Sequence, residues 1–310
     1  MSKIESFIIL DFETTGIERE ARITEIAFIA VSREHILCAA TKAKGLPRVM
    51  NKFTICLNPD KPINPIAAKI SGLNNDLLQG QKPFDSTAFN ILENFVCRLP
   101  QPVCLIAHNG DSYDFPILQA ELEAFKQKLP EHILCADSIK CFRALLGPNR
   151  QFIDSKTIVQ QNESVSVNLT AQVMITRLKN CKDVNGSTQV LNVTNVNSTQ
   201  QVGAMTVMYS PAKRRRTAMT LSTSDGKHGC LENEIIRDVS NRKRTPNSFK
   251  LVDIYRYFFN RKSQDNHTAH GDAQNLLECI IATGSDFLCW ADKNARKLSD
   301  VKSRWSQSLS

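Results

Sequence analysis

With 310 residues, 42% of them apolar, the chain has material for one large domain or two small ones, and its 39 basic against 31 acidic residues leave a net charge of +8. That excess favours an anionic partner. The sequence has no apolar run of the roughly 18 residues needed to cross a bilayer, and its ten cysteines (38, 56, 97, 104, 135, 141, 181, 230, 279 and 289) form no C-x-x-C pair, which argues against a disulfide framework or a zinc site. The opening MSKIES runs straight into a strand, so no secretory signal is read there, and a soluble intracellular protein is expected.

Residues 7–16, FIILDFETTG, are an unbroken apolar run closed by Thr-Thr-Gly, the pattern of a central strand buried on both faces. Strand side chains alternate with a period of two, so Asp11 and Glu13 point to one face. Two neighbouring carboxylates at the end of a buried strand repel each other and lose hydration, a cost that a cation relieves. Residues 23–31 and 53–57 predict further strands, with a basic loop over 42–51 between them, as in an antiparallel meander. Pro62 and Pro65 punctuate the chain, and helices are expected over 66–78 and 84–98. A fourth strand over 103–107 leads into His108-Asn109-Gly110-Asp111-Ser112-Tyr113-Asp114. Asp114 opens the next helix, running to about residue 126, where a carboxylate also suits the helix dipole. A fifth strand over 132–136 and a short helix over 138–146 complete this part.

The character changes over 147–247. Asn, Gln, Ser, Thr and Val dominate residues 160–201, and a Lys213, Arg214, Arg215, Arg216 cluster follows. Residues 150–247 hold 14 basic and 7 acidic side chains, so nearly all the net charge lies here, and the rest of the chain is almost neutral. The segment offers too little apolar surface to offset the entropy of ordering, so it is expected to be a basic, polar, mostly disordered insertion. Helical patterning returns over 251–259, 268–282 and 287–301.

Acids and a histidine thus recur at strand ends and helix starts: Asp11 and Glu13, then Asp114, then His267 and Asp272. The order resembles the DEDDh exonucleases. AHNGDSYDFPILQAEL (107–122), HTAHGDAQNLL (267–277) and LPRVMNKFTICLNP (46–59) resemble the TREX three-prime repair exonucleases over about two thirds of the chain. The resemblance implies an α/β, ribonuclease-H-like fold: a mixed five-stranded sheet of order 3-2-1-4-5 with helices on both faces, formed by residues 1–146 and 248–305. It also implies that Asp11, Glu13, Asp114 and Asp272 hold two Mg²⁺ ions, for which Mn²⁺ can substitute, and that His267 is the general base. His270 is a rival, but it stands two residues before Asp272 instead of five.

The implied activity is removal of nucleotides from the 3′ end of single-stranded or mismatched DNA, releasing 5′-mononucleotides. Hydrolysis of a phosphodiester builds charge on a backbone that is already anionic, and hard oxygen ligands hold the divalent ions that offset it. An unperturbed imidazole, titrating near 6.5, suits proton removal from water. Thr14, Ile17, Ile70 and Tyr113 would hold the last bases by packing, which makes cutting tolerant of sequence. Ile17 stands where Leu is usual in the family and His270 where Glu is common. The polyproline stretch of some mammalian members is missing, so proline-directed partners are not expected, nor is a membrane tether of the kind seen in one branch, whereas a homodimer through strand edges is implied by the resemblance. Lys213 to Arg216 and Arg242 to Arg244 suit nuclear import, DNA capture or plain solvation, and a nuclear or cytoplasmic setting is expected. Two other readings stand beside the first: an exoribonuclease of the same fold, since acids alone do not sense a 2′-hydroxyl, and a noncatalytic nucleic-acid-binding module.

Overall fold

A computed structural model describes residues 3–42, 45–148, 245–263 and 266–305. Helices are numbered below in chain order among these residues. Residues 149–244 of the insertion, on which the expected disorder and the charge clusters at 213–216 and 242–244 fall, lie outside the described residues.

The long apolar run becomes β1 (Ser6–Thr14), and it pairs on both sides. β2 (Ile23–Ser32) runs antiparallel to it and β3 (Asn51–Cys56) antiparallel to β2. On the other flank β4 (Val103–Ala107) is parallel to β1, and β5 (Leu134–Asp137) is parallel to β4. These five strands take the order that the resemblance implies, 3-2-1-4-5, in a ribonuclease-H-like α/β fold. A two-residue β6 (Arg296–Lys297) adds a sixth, antiparallel to β5.

Alternation along β1 divides the core. Phe7 and Ile9 face one layer, whereas Ile8, Leu10 and Phe12 face the other. Burying each such side chain contributes about 1.5–3 kcal/mol, so a one-residue slip of register would forfeit both layers and invert the acids as well. The first layer is covered by α1 (Arg33–Lys42), α6 (Ser138–Leu146), α7 (Leu251–Phe259), α8 (Ala269–Thr283) and α9 (Ser285–Asn294). The second is covered by α4 (Ser86–Cys97) and α5 (Asp114–Ala124). Described residues on both sides of 149–244 therefore share one sheet and both cores.

Two expectations need correction, and one helix went unread. The helix read over 66–78 is two, α2 (Pro65–Ser71) and α3 (Asn75–Leu78). Gly72 ends α2 in the left-handed region at φ 75°, and the Asn74 side chain accepts the Leu77 N–H to start α3. The last helix stops at Asn294 instead of reaching 301. There Ala295 turns extended, β6 pairs with β5, and buried Leu298 donates its N–H to the Ile133 carbonyl at 2.9 Å, so sheet pairing wins over helical periodicity. Helix α1 had no assignment from the sequence. It is held by buried Ile36 and by an ion pair from Arg33 to Asp292. Among the described residues no helix is long and apolar enough to cross a membrane.

Candidate functional site

On the α8 face of β1, below the point where apolar packing ends, stand the half-buried carboxylates of Asp11 and Glu13. Opposite Glu13 in the β1–β2 register lies Glu25. Helix α8 enters over these acids. Its N-cap, Thr268, accepts the Gly271 N–H through its hydroxyl at 3.0 Å, and Glu25 Oε2 accepts the Ala269 N–H at 2.8 Å. The first turn is thereby docked on β2 and brings Asp272 inward. Carboxylate oxygens of Asp11, Glu13 and Asp272 all lie within 4.8 Å of one another, although Asp272 is 261 residues from Asp11 in sequence.

Asp114 reaches the same end of the sheet from the other flank. It is the first residue of α5, buried at 3% exposure, and the N-cap before it, Tyr113, makes no side-chain cap bond. The turn before it is held by Asp137, whose carboxylate accepts the N–H groups of Asn109 at 3.0 Å and Ile139 at 2.9 Å. Gly110 is required there. A Cβ would fall 2.7 Å from both the Ala107 Cβ and the Phe115 ring.

The electrostatics express this crowding. Burial, then the charges of Asp114, Asp272, Glu13 and Glu25, push the Asp11 carboxyl well above the usual range. Burial with Asp272, Glu25 and Asp114 carries Glu13 up to about 8. Asp114 is raised to about 7, mainly by burial, against backbone hydrogen bonds at its own residue and Phe12. Asp272 is raised by burial too, offset in part by the His267 N–H it accepts at 3.0 Å. Asp114 is outside the 4.8 Å trio, but its charge acts on both β1 acids.

Such a set needs either protons or a cation. All-oxygen donors suit a hard divalent ion over a soft one, so the residues present fit a divalent metal.

The rim carries the remaining residues singled out by the sequence. His267 is exposed, on backbone at φ 66°, a left-handed conformation unusual for a side chain other than Gly or Asn. His270, the rival, is half-buried within α8. Thr14 and Tyr113 meet: the Tyr113 hydroxyl lies 2.6 Å from Thr14 Oγ1 and donates to the Gly16 carbonyl at 2.6 Å. Ile17 is 86% exposed, and Ile70, on α2, is 50% exposed, so neither belongs to the core.

Two participants escaped sequence reasoning, Glu25 and Asp137. Glu25 was legible as the one acid within the apolar run ITEIAFIAV. Asp137 had only the weak signal of an acid just before a helix.

Comparison with known proteins agrees with this geometry. The RNase_T exonuclease family matches residues 8–150, a stretch holding Asp11, Glu13 and Asp114. Human three prime repair exonuclease 2 is 37% identical over 149 residues, 46% of this chain and 63% of that protein. Bovine three-prime repair exonuclease 1 is 37% identical over 153 residues, 46% of this chain and 48% of that protein. The chain thus spans less than two thirds of the length of these relatives. Among solved structures, Escherichia coli exonuclease I in complex with a dA16 oligonucleotide is 17% identical with a TM-score of 0.38, covering 47% of this chain and 30% of that one. Over residues 8–150 the chain is thus similar to the RNase_T exonuclease family and, at 37% identity, to three-prime repair exonucleases.

Proposed function

We propose that the protein is a metal-dependent 3′ to 5′ DNA exonuclease that releases 5′-mononucleotides from single-stranded or mismatched 3′ ends. The observation that carries this reading is the trio of Asp11, Glu13 and Asp272, remote in sequence, half-buried, and within 4.8 Å of one another. The names of the relatives point the same way. Residues 1–146 and 248–305 form the exonuclease domain, and 147–247 is an insertion in it.

Asp11, Glu13, Asp114 and Asp272 would hold two divalent ions, Mg²⁺ or Mn²⁺. Bound there, such ions supply charge stabilisation at the phosphate and acidify water. The chain's own part is fourfold. The four carboxylates give up their protons when the cations bind, which ties affinity to pH. His267, on the open rim and tied by its amide to Asp272, takes the proton of the attacking water. Glu25 holds the start of α8 so that Asp272 faces β1. Thr14, Ile17, Ile70 and Tyr113 pack against the terminal bases without reading their edges. A homodimer through strand edges would use β3, an outer strand of the sheet. The setting is the nucleus or cytoplasm.

The test is digestion of matched DNA and RNA oligonucleotides labelled at the 5′ end, with Mg²⁺ or Mn²⁺ and with chelator. A cation-dependent ladder on DNA is expected. Cleavage of RNA alone would make the protein an exoribonuclease, and cleavage of neither would leave a binding module.

A further inference from the structure

Residues 302–305, which carried no motif in the sequence, return to the mouth of the candidate site. The main chain of Arg304 is fixed to α5, where its N–H donates to the Pro116 carbonyl at 2.9 Å, two residues beyond Asp114. Its side chain crosses to the loop that follows β1. The guanidinium carbon lies 4.8 Å from the centre of the Tyr113 ring, and Nη2 donates to the Ile17 carbonyl at 2.7 Å. The loop answers in kind: Arg19 Nη2 donates to the Trp305 carbonyl at 2.8 Å, and the Arg22 guanidinium lies 5.2 Å from the Trp305 ring centre. One cation therefore ties the loop that follows β1, at Ile17, to Tyr113, the residue before Asp114.

We propose that Arg304 is a positioning residue, one that fixes Ile17 and Tyr113 before the 3′ end of a DNA strand arrives. This rests on the exonuclease reading given above. Only a planar guanidinium can lie over a ring and donate in its plane to a carbonyl at once; an ammonium is a point charge and does one well. Exposed contacts of this kind add little to global stability. Their effect falls on binding, because a rim that must be ordered on arrival costs affinity, whereas the acids that would hold the metal lie inward of it.

The experiment compares the full chain with R304A and R304K. Hydrogen exchange is read at the Thr15, Ala21 and Arg22 amides, which are bonded within the loop, and kinetics are read on a single-stranded oligodeoxynucleotide with Mn²⁺. R304A is expected to exchange faster at these amides, to raise KM about tenfold, and to change kcat less than about threefold, with R304K in between. Melting temperatures of the three should agree within about 2 °C, since a general loss of fold would shift them further. Unchanged exchange and KM in R304A would overturn the proposal, as would a fall in kcat alone. If the unsubstituted protein cut no DNA, the exonuclease reading would fail, and the exchange data alone would still decide whether Arg304 orders the rim.

Discussion

Two histidine-bearing junctions deliver carboxylates to β1, and they are built in opposite ways. At the β4–α5 junction, His108 Nε2 donates to the Phe249 carbonyl at 2.9 Å and Nδ1 lies 2.9 Å from the Ser138 hydroxyl. Burial pushes this imidazole down to about 4, so it is neutral at physiological pH. At the start of α8, His267 is exposed on left-handed backbone, and its amide donates to Asp272, which keeps the residue beside the acids. The first junction commits both ring nitrogens of its histidine to structure. The second leaves an imidazole open to solvent beside a carboxylate, at the conformational cost that such backbone carries. A histidine beside an acid is thus not enough to indicate chemistry; what separates the two is where the ring nitrogens are already committed.

The contrast sets an order of effects. Asp272→Asn should lower kcat at least about a thousandfold while DNA binding, measured by fluorescence anisotropy, stays within a few-fold, because a metal ligand is lost and the fold is kept. A near-normal rate would remove Asp272 from the site. His267→Ala should cost roughly 10²–10⁴-fold in rate, the range for a general base.

His108→Ala should leave kcat within about threefold but lower stability by about 1–3 kcal/mol in urea melts, since the Phe249 carbonyl loses its donor. The sign with pH differs too. His108 binds a proton more readily unfolded than folded, so in the parent protein its contribution to stability is lost as pH falls from about 6.5 towards 4. The variant should lack that acid-side loss. If His108→Ala abolished turnover with a normal melting curve, the division between the junctions would be wrong.

Much of this was legible in the sequence, for physical reasons that also mark where legibility stopped. FIILDFETTG betrays its strand and the shared face of Asp11 and Glu13, because period-two alternation is local. Asp114 and Asp272 were placed at helix starts by equally local signals, and resemblance to a family joined them into one set. What sequence did not offer was long-range docking. The bond from Ala269 to Glu25 joins residues 244 apart, and the Arg304 contacts with Ile17 and Tyr113 join the far end of the described chain to its beginning. Neither has a periodicity. The break at Gly72 and the turn at Ala295 were misread for a related reason: apolar spacing continued while a cap and a strand pairing ended the helix.

The most direct measurement is thermal melting of the DNA-free protein in chelator and in Mn²⁺, at pH 6 and pH 8, alongside the D11N/D272N double variant. Glu13, raised to about 8, and Asp114, raised to about 7, keep protons in the metal-free folded state that the unfolded chain has lost. In chelator, stability should therefore fall as pH rises from about 4.5 to 8. Cation binding at ionised carboxylates offsets that loss, by about 2.7 kcal/mol at a hundred times Kd, so the rise in Tm with Mn²⁺ should be larger at pH 8 than at pH 6 and absent in the double variant. A Tm indifferent to Mn²⁺ at pH 8, or an equal rise in the double variant, would mean that these carboxylates do not form a metal site.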